Sequence, residues 1–315
     1  MILHRDSDLG DWASPRAYIL SGDNPRSAIT PDELLSTGYL YYNVVLMGKM
    51  AGLLEREQDR QFYEQLSGQI EAAFRKRFYD PMTGLVGTGS QGCQALALWV
   101  NLVPTADRAA VAARLAEAVR KEDYHLTTGN QCTKYVLQAL CMEGYVEEAY
   151  RLATQTTYPS WGYMIENGAT TIWERWEHDV GGGMNSHNHP MYPSVSGWFY
   201  KYLAGIRVEE NGAGFEHVMI SPCIPEGLDW AEASLETIRG TLVVHWNRSD
   251  RQFQLKLTLP FGCTADVRLP LSVVSGGITQ VREGQQIVWK IRSEKLRPDH
   301  VLITVGAGSY CFIYE

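Results

Sequence analysis

From about residue 30 to residue 157, apolar positions recur at three- and four-residue steps, the period of helices that bury one face. The first run opens at Thr30-Pro31-Asp32-Glu33, where Thr30 offers a cap, Pro31 suits the first turn and Glu33 completes a capping box. Leu34, Leu35, Tyr39, Tyr42, Leu46, Met50 and Leu53 then form one apolar stripe. A second helix is expected over 58–78, with Phe62, Leu66, Ile70, Phe74 and Phe78 on one face, ended by Asp80-Pro81 and Thr83-Gly84. Further helices are expected over 91–102, 106–121, 133–142, 146–155 and 194–206, with links as short as Val103-Pro104-Thr105 and Glu143-Gly144-Tyr145. Short links make antiparallel neighbours, so about seven helices should form consecutive hairpins.

Near Val208 the period changes to two. Val218 and Ile220, then Leu242, Val244 and Trp246, then Phe253, Leu255, Leu257 and Leu259, then Val301, Ile303 and Val305 alternate with polar residues. Turn residues at Asn247-Arg248-Ser249-Asp250, Gly276-Gly277 and Glu283-Gly284 separate these runs, the pattern of an antiparallel β-sandwich. Two domains are expected, helical over 1–207 and β over 208–315, linked by the exposed Glu209-Glu210-Asn211-Gly212.

Between the two textures, Tyr158 to Pro193 has neither period and crowds aromatics, acids, histidines and amides together. Flat apolar rings beside directional polar groups are what a sugar site needs. The overall charge fits such a partner. A formal charge of −8 over 315 residues lacks the cationic surplus of a nucleic-acid face. No apolar run reaches the roughly 20 residues that cross a bilayer, and MILHRDSDLGDW lacks the regions of a secretory signal, so a cytoplasmic location and no membrane contact are expected. Six cysteines without CxxC spacing suggest free thiols.

Glu174 is the carboxylate to examine first, because it lies between Trp173 and Arg175 in this stretch and not on a solvated helix face. A buried carboxylate held by hydrogen bonds is equipped to deprotonate a water as general base, although pairing with an arginine merely to hold the loop is also open. Glu177, His178 and Asp179 follow, with His187 and His189 beyond. Neither HExxH nor facial-triad spacing links them, so no metal and no cofactor are expected. His189 offers a hydrogen bond to a hydroxyl, and Asp11-Trp12 pairs an acid with an aromatic platform. His125-Leu126-Thr127-Thr128-Gly129 is a polar link that could rim a cavity or cap a helix.

Taken in order, these segments resemble the bacterial α-L-rhamnosidases of glycoside hydrolase family 78. The residues that carry the resemblance are Gly10-Asp11-Trp12, Thr30-Pro31-Asp32-Glu33-Leu34, His125-Leu126-Thr127-Thr128-Gly129 and Tyr158-Pro159-Ser160-Trp161-Gly162-Tyr163. They continue through Gly168-Ala169-Thr170-Thr171-Ile172-Trp173-Glu174-Arg175-Trp176 and Met184-Asn185-Ser186-His187-Asn188-His189 to Trp198-Phe199-Tyr200. The resemblance implies a partial (α/α)6 barrel followed by a β-sandwich, and inverting hydrolysis of terminal α-L-rhamnosides. It implies Glu174 as general base, with Asp11, Trp12, Trp161, Trp173 and His189 lining a rhamnose subsite.

An inverting glycosidase needs a second carboxyl about 6.5–9.5 Å from the base. In the family that acid is a Glu in an RDE-type motif well upstream of Gly-Asp-Trp. Arg5-Asp6-Ser7-Asp8 imitates it only superficially, so the acid is expected to be missing here. Pro193 and Gly197 depart from the family pattern at the lead into the last helix. Two readings follow, a truncated α-L-rhamnosidase and a non-catalytic protein that binds rhamnose-containing glycans. Either leaves an open barrel edge through which the chain should self-associate.

Overall fold

The computed structural model describes residues 1–3, 9–179, 185–209, 212–250, 252–270, 280–283, 285–290 and 300–314. Arg5-Asp6-Ser7-Asp8, Met184, Glu210-Asn211, Gly276-Gly277 and Gly284 lie outside them. Contacts divide the chain into two compact units, Met1–Val195 and Ser196–Glu315.

The first unit begins with a small hairpin, β1 (Ile19–Ser21) and β2 (Asn24–Ser27), and continues as helices α1 (Asp32–Leu53) and α2 (Glu57–Phe78). A second small hairpin, β3 (Tyr79–Asp80) and β4 (Leu85–Val86), uses the breakers at 80–84, with Gly84 at φ 71°. Helices α3 (Gln91–Trp99), α4 (Arg108–Lys121), α5 (Thr133–Met142), α6 (Val146–Ala153) and α7 (Trp161–Glu166) follow. Helix α8 (Ser194–Trp198) runs on as a π-helical turn over Phe199–Leu203. The described residues thus hold eight α-helices.

Thr30 does not cap α1. Its hydroxyl lies 3.0 Å from that of Ser90, and the extended Pro31 becomes the N-cap without a side-chain bond. Glu33 pairs with Arg77 on α2 instead of closing a capping box. The apolar stripes of α1 and α2 are buried only in part. Leu34, Leu35, Ile70, Phe74 and Phe78 are inside, whereas Met50, Leu53 and Phe62, around the turn between the helices, are exposed. At the centre of the unit α3 buries Gln91 through Leu98, packed against α1, α4 and α5. Helix α7 falls inside the stretch that shows no period. Ser160 starts it, its Oγ accepting from Tyr163 N at 2.9 Å, and six residues are too few to display a helical repeat.

The second unit is a two-sheet sandwich. Strands β5 (Ile206–Val208), β6 (His217–Ile220), β7 (Trp230–Thr237), β8 (Gly240–Arg248), β9 (Phe253–Leu259), β10 (Thr264–Pro270), β11 (Gln280–Glu283), β12 (Gln286–Lys290), β13 (His300–Val305) and β14 (Gly308–Tyr314) form sheets ordered β13-β10-β6-β5 and β12-β11-β14-β9-β8-β7. Alternate residues from both sheets enter one core, with Val218, Ile220, Ala265 and Val267 from one and Leu242, Val244, Trp246, Leu255 and Phe312 from the other. All pairings are antiparallel except β6 with β10. Three strands of the other sheet lie between those two in sequence, and the chain returns in the same direction. Asn247 and Arg248 belong to β8; the turn is closed by Ser249 N on Gln252 O at 2.8 Å. The last helical segment packs with this unit, since Trp246 Nε1 donates to Leu203 O and Cys223 N to Tyr202 O, each at 2.7 Å. The unit therefore begins at Ser196, ahead of the change of period at Val208.

Among the described residues no helix is long and apolar enough to cross a membrane, and no three His, Cys, Asp or Glu side chains gather as a metal site.

Candidate active site

The irregular stretch is zipped to itself. Glu174 N donates to Ser186 O at 2.8 Å, Ser186 N donates to Glu174 Oε2 at 3.1 Å, and His189 N donates to Ile172 O at 2.9 Å. Two short segments are thereby paired, one carrying Glu174 and the other His189. Glu174 is half-buried; one carboxylate oxygen is fixed by the Ser186 amide and the other has no hydrogen bond among the described residues. A carboxylate held by one oxygen with the other unengaged is what proton abstraction from water requires. His189 is also half-buried, and its Nδ1 is buried without a partner among the described residues. Such an orphan asks for an explanation, and a ligand hydroxyl supplies one. Trp12 is half-buried, its carbonyl accepting from Asn130 N at 2.6 Å.

Asp11 does something other than line a sugar subsite. It is fully buried, and its carboxylate accepts from Gly129 N at 2.8 Å, Gln131 N at 3.0 Å and Cys132 N at 2.9 Å. It is a latch that ties the Gly10-Asp11-Trp12 turn to the lead of α5. Burial raises its pKa from 3.8 to about 6, against the opposing pull of those three amides. Gly129 allows the approach, because a Cβ there would lie 2.2 Å from Trp12 O and 2.8 Å from Asp11 O. Trp176 Nε1 donates to Thr128 O at 2.9 Å, so the same link also holds the Glu174 loop.

Trp161 and Trp173 are likewise inside the protein and present no open platform. Trp161 meets Trp176 edge to face at 5.5 Å and donates through Nε1 to Tyr192 O at 3.2 Å. Trp173 stacks with His178 at 4.9 Å and with His187 at 4.8 Å, and these two imidazoles are 6.1 Å apart. Two stacking gaps of about 3.5 Å would separate a sandwiching pair by about 7 Å, so both histidines lie over one face of the indole. The tryptophans form the rigid backing of the loop.

Sequence patterning passes over Glu177 as a polar anchor. Its Oε1 accepts from Tyr158 Oη at 2.6 Å and from Arg16 N at 2.8 Å, while Oε2 lies 3.5 Å from Arg175 Nε. Burial and the neighbouring Glu177 push the Tyr158 hydroxyl well above the ordinary phenol range, keeping it a donor. Glu177 is thus committed to holding the chain. A larger cleft of about 550 Å³, between the 83–91 segment and α4, includes Thr127 of the polar link but neither Glu174 nor any residue predicted for the rhamnose subsite. Its carboxylates are engaged, Glu117 with Arg114 and Glu122 with Tyr18.

Residues 3–203 match the bacterial alpha-L-rhamnosidase 6 hairpin glycosidase domain, which makes the helical unit part of a glycosidase domain built from helical hairpins. Residues 205–284 match the bacterial alpha-L-rhamnosidase C-terminal domain. The chain belongs to the bacterial alpha-L-rhamnosidase family. It is 36% identical over 247 residues to an alpha-L-rhamnosidase of Streptomyces avermitilis, covering 76% of this chain and 24% of that protein. Among solved structures, an alpha-L-rhamnosidase from Dictyoglumus thermophilum is 37% identical with a TM-score of 0.87, covering 97% of this chain and 34% of that one. A Streptomyces avermitilis alpha-L-rhamnosidase complexed with L-rhamnose is 31% identical with a TM-score of 0.84, covering 99% and 29%. The chain therefore spans between 24% and 34% of the length of these relatives.

Proposed function

We propose that this chain supplies the base and recognition side of an inverting α-L-rhamnosidase site. Glu174 deprotonates the attacking water, and Trp12 and His189 contact the sugar. The observation that carries the reading is the half-buried Glu174 carboxylate, fixed by the Ser186 amide through one oxygen and, among the described residues, unengaged at the other. The likeness to a rhamnosidase complexed with L-rhamnose supports the substrate class. Six cysteines without CxxC spacing fit a reducing compartment such as the cytoplasm.

A second reading, glycan binding without cleavage, is favoured by the state of the neighbouring acids. Glu177 is held by Tyr158 and Arg16, and Asp179 is paired with Arg16 at 2.9 Å, so neither is free to protonate a leaving oxygen. Calorimetric titration with L-rhamnose, run beside an aryl α-L-rhamnoside assay, separates the two. Binding with turnover supports the hydrolase, binding alone supports the glycan-binding protein, and no binding defeats both.

The exposed strip Met47, Met50, Leu53, Leu54 and Phe62, at the outer end of the α1–α2 hairpin, is the kind of face on which another hairpin packs. We take its occupant to be a second copy of the chain. Light scattering is expected to report dimers or larger species that revert to monomer in Leu53→Glu; a monomeric parent protein would refute this.

A further inference from the structure

The cleft between the 83–91 segment and α4, of about 550 Å³, takes no part in the site around Glu174. Its volume lies in the middle of the range of small-ligand pockets, the size class of a disaccharide. One wall is the half-buried ring of Tyr18. Its hydroxyl donates to Glu122, which fixes the ring, and burial together with that carboxylate pushes the phenol up to about 12, so it stays a donor. Ile29, Leu85 and Ala118 extend the apolar surface. Thr127 is only 4% exposed where it lines the cleft, and its Oγ1 is buried without a partner among the described residues. The buried Gln91 holds it in place, Nε2 donating to His125 O at 2.8 Å and Oε1 accepting from Thr127 N at 3.1 Å. A fixed hydroxyl with its bonding capacity unused calls for a polar ligand atom, and a second hydroxyl can both donate to it and accept from it. The charges of the cleft cancel, since Arg114 is paired with Glu117 at 2.7 Å and Lys121 and Glu122 add one of each sign. A charged ligand would meet a like charge whichever sign it carried. What fits is neutral, hydroxylated and flat on one face, the chemistry of a sugar.

The 125–129 link divides this cleft from the Glu174 loop. Thr127 lines the cleft, whereas Thr128 gives its carbonyl to Trp176 Nε1 at 2.9 Å and Gly129 its amide to the buried Asp11 at 2.8 Å. We propose that the cleft is an accessory carbohydrate site for a neutral disaccharide segment that is held and not hydrolysed, with Tyr18 as its ring platform and Thr127 as its polar contact. The proposal stands on the chemistry of the cleft and does not need rhamnose at Glu174.

Calorimetric titration of the full chain with lactose and with cellobiose tests it, beside lactobionate, which carries a carboxylate. At least one neutral disaccharide is expected to bind, and lactobionate more weakly. Tyr18→Ala and Thr127→Val should each weaken that binding by about tenfold, the loss of a ring face or of one hydrogen bond, and Tyr18→Phe should keep it. His189→Ala, altered at the other site, should leave it unchanged. No neutral binding, binding that survives either Tyr18→Ala or Thr127→Val, tighter binding of lactobionate, or loss in His189→Ala overturns the accessory site. If Tyr18→Ala does not fold, Thr127→Val decides. Stability gives a reading without any sugar, because Val has the shape of Thr but no orphaned hydroxyl. Thr127→Val should therefore raise the thermal midpoint; a fall would mean that the hydroxyl already has a partner, and the site would be lost with it. Absence of L-rhamnose binding bears on the Glu174 reading alone, a distinct outcome.

Discussion

Replacing Glu174 by Gln is expected to lower turnover of an aryl α-L-rhamnoside by about 10²-fold or more, with little change in KM, in any form of the protein that turns over. The amide is isosteric with the carboxylate and can still accept from the Ser186 N–H that fixes Oε2. What it cannot do is take a proton from water. Geometry survives and basicity is lost, so the effect should fall on kcat. Glu177→Gln is the control, because Glu177 anchors Tyr158 and Arg16 and its loss should appear chiefly as reduced stability. Normal turnover in Glu174→Gln would remove the residue from the chemistry.

The fold was legible wherever burial followed a simple period. Helix α5 coincides with its expected bounds, and the inward residues of β8 and β9 are those that alternate in the sequence. Strand β7 carries a weaker pattern because two of its inward positions are alanines, Ala231 and Ala233, which contribute little hydrophobic contrast. The two long helices mislead at their outer ends. Met50, Leu53 and Phe62 continue the apolar stripe in sequence, yet no described element covers them. The last helix is cut short because Ile206 pairs with Ile220 in a sheet, a long-range contact that local propensity does not contain.

The site was legible in its location and less so in its roles. Aromatic and acidic residues crowded in one segment marked the region, and Glu174, Trp12 and His189 are the predicted residues that keep accessible or unsatisfied polar surface there. Composition cannot say which tryptophans back the loop and which face outward; Trp161 and Trp173 are inside because Tyr192, Trp176, His178 and His187 cover them. Nor can it show that Asp11 finds its partners at Gly129, Gln131 and Cys132, far along the chain. The clue available in the sequence was a glycine, Gly129, closing the polar link before α5.

Asp11 gives the protein a stability that should fall as pH rises from about 4 to about 6. Its folded pKa, about 6, lies above the ordinary 3.8, so across that window the folded state keeps a proton that the unfolded chain has released. The contribution is complete below the unfolded pKa, declines through the folded one and is flat above it. A shift of about two units corresponds to about 3 kcal/mol. Asp11→Asn removes the titration, and its amide NH₂ must face a backbone donor, a mismatch of about 1–3 kcal/mol. In paired urea unfolding curves the deficit of Asp11→Asn relative to wild type should be larger near pH 4 than near pH 7, by about 2 kcal/mol. A deficit that does not change with pH would mean that the buried carboxyl titrates as it does in the open chain. Gly129→Ala probes the same latch from the other side, since its Cβ would press on the Trp12 and Asp11 carbonyls and force the two segments apart. Once apart, Asp11 regains water and its pKa returns toward the ordinary value, so Gly129→Ala should lose stability and the pH-dependent component together.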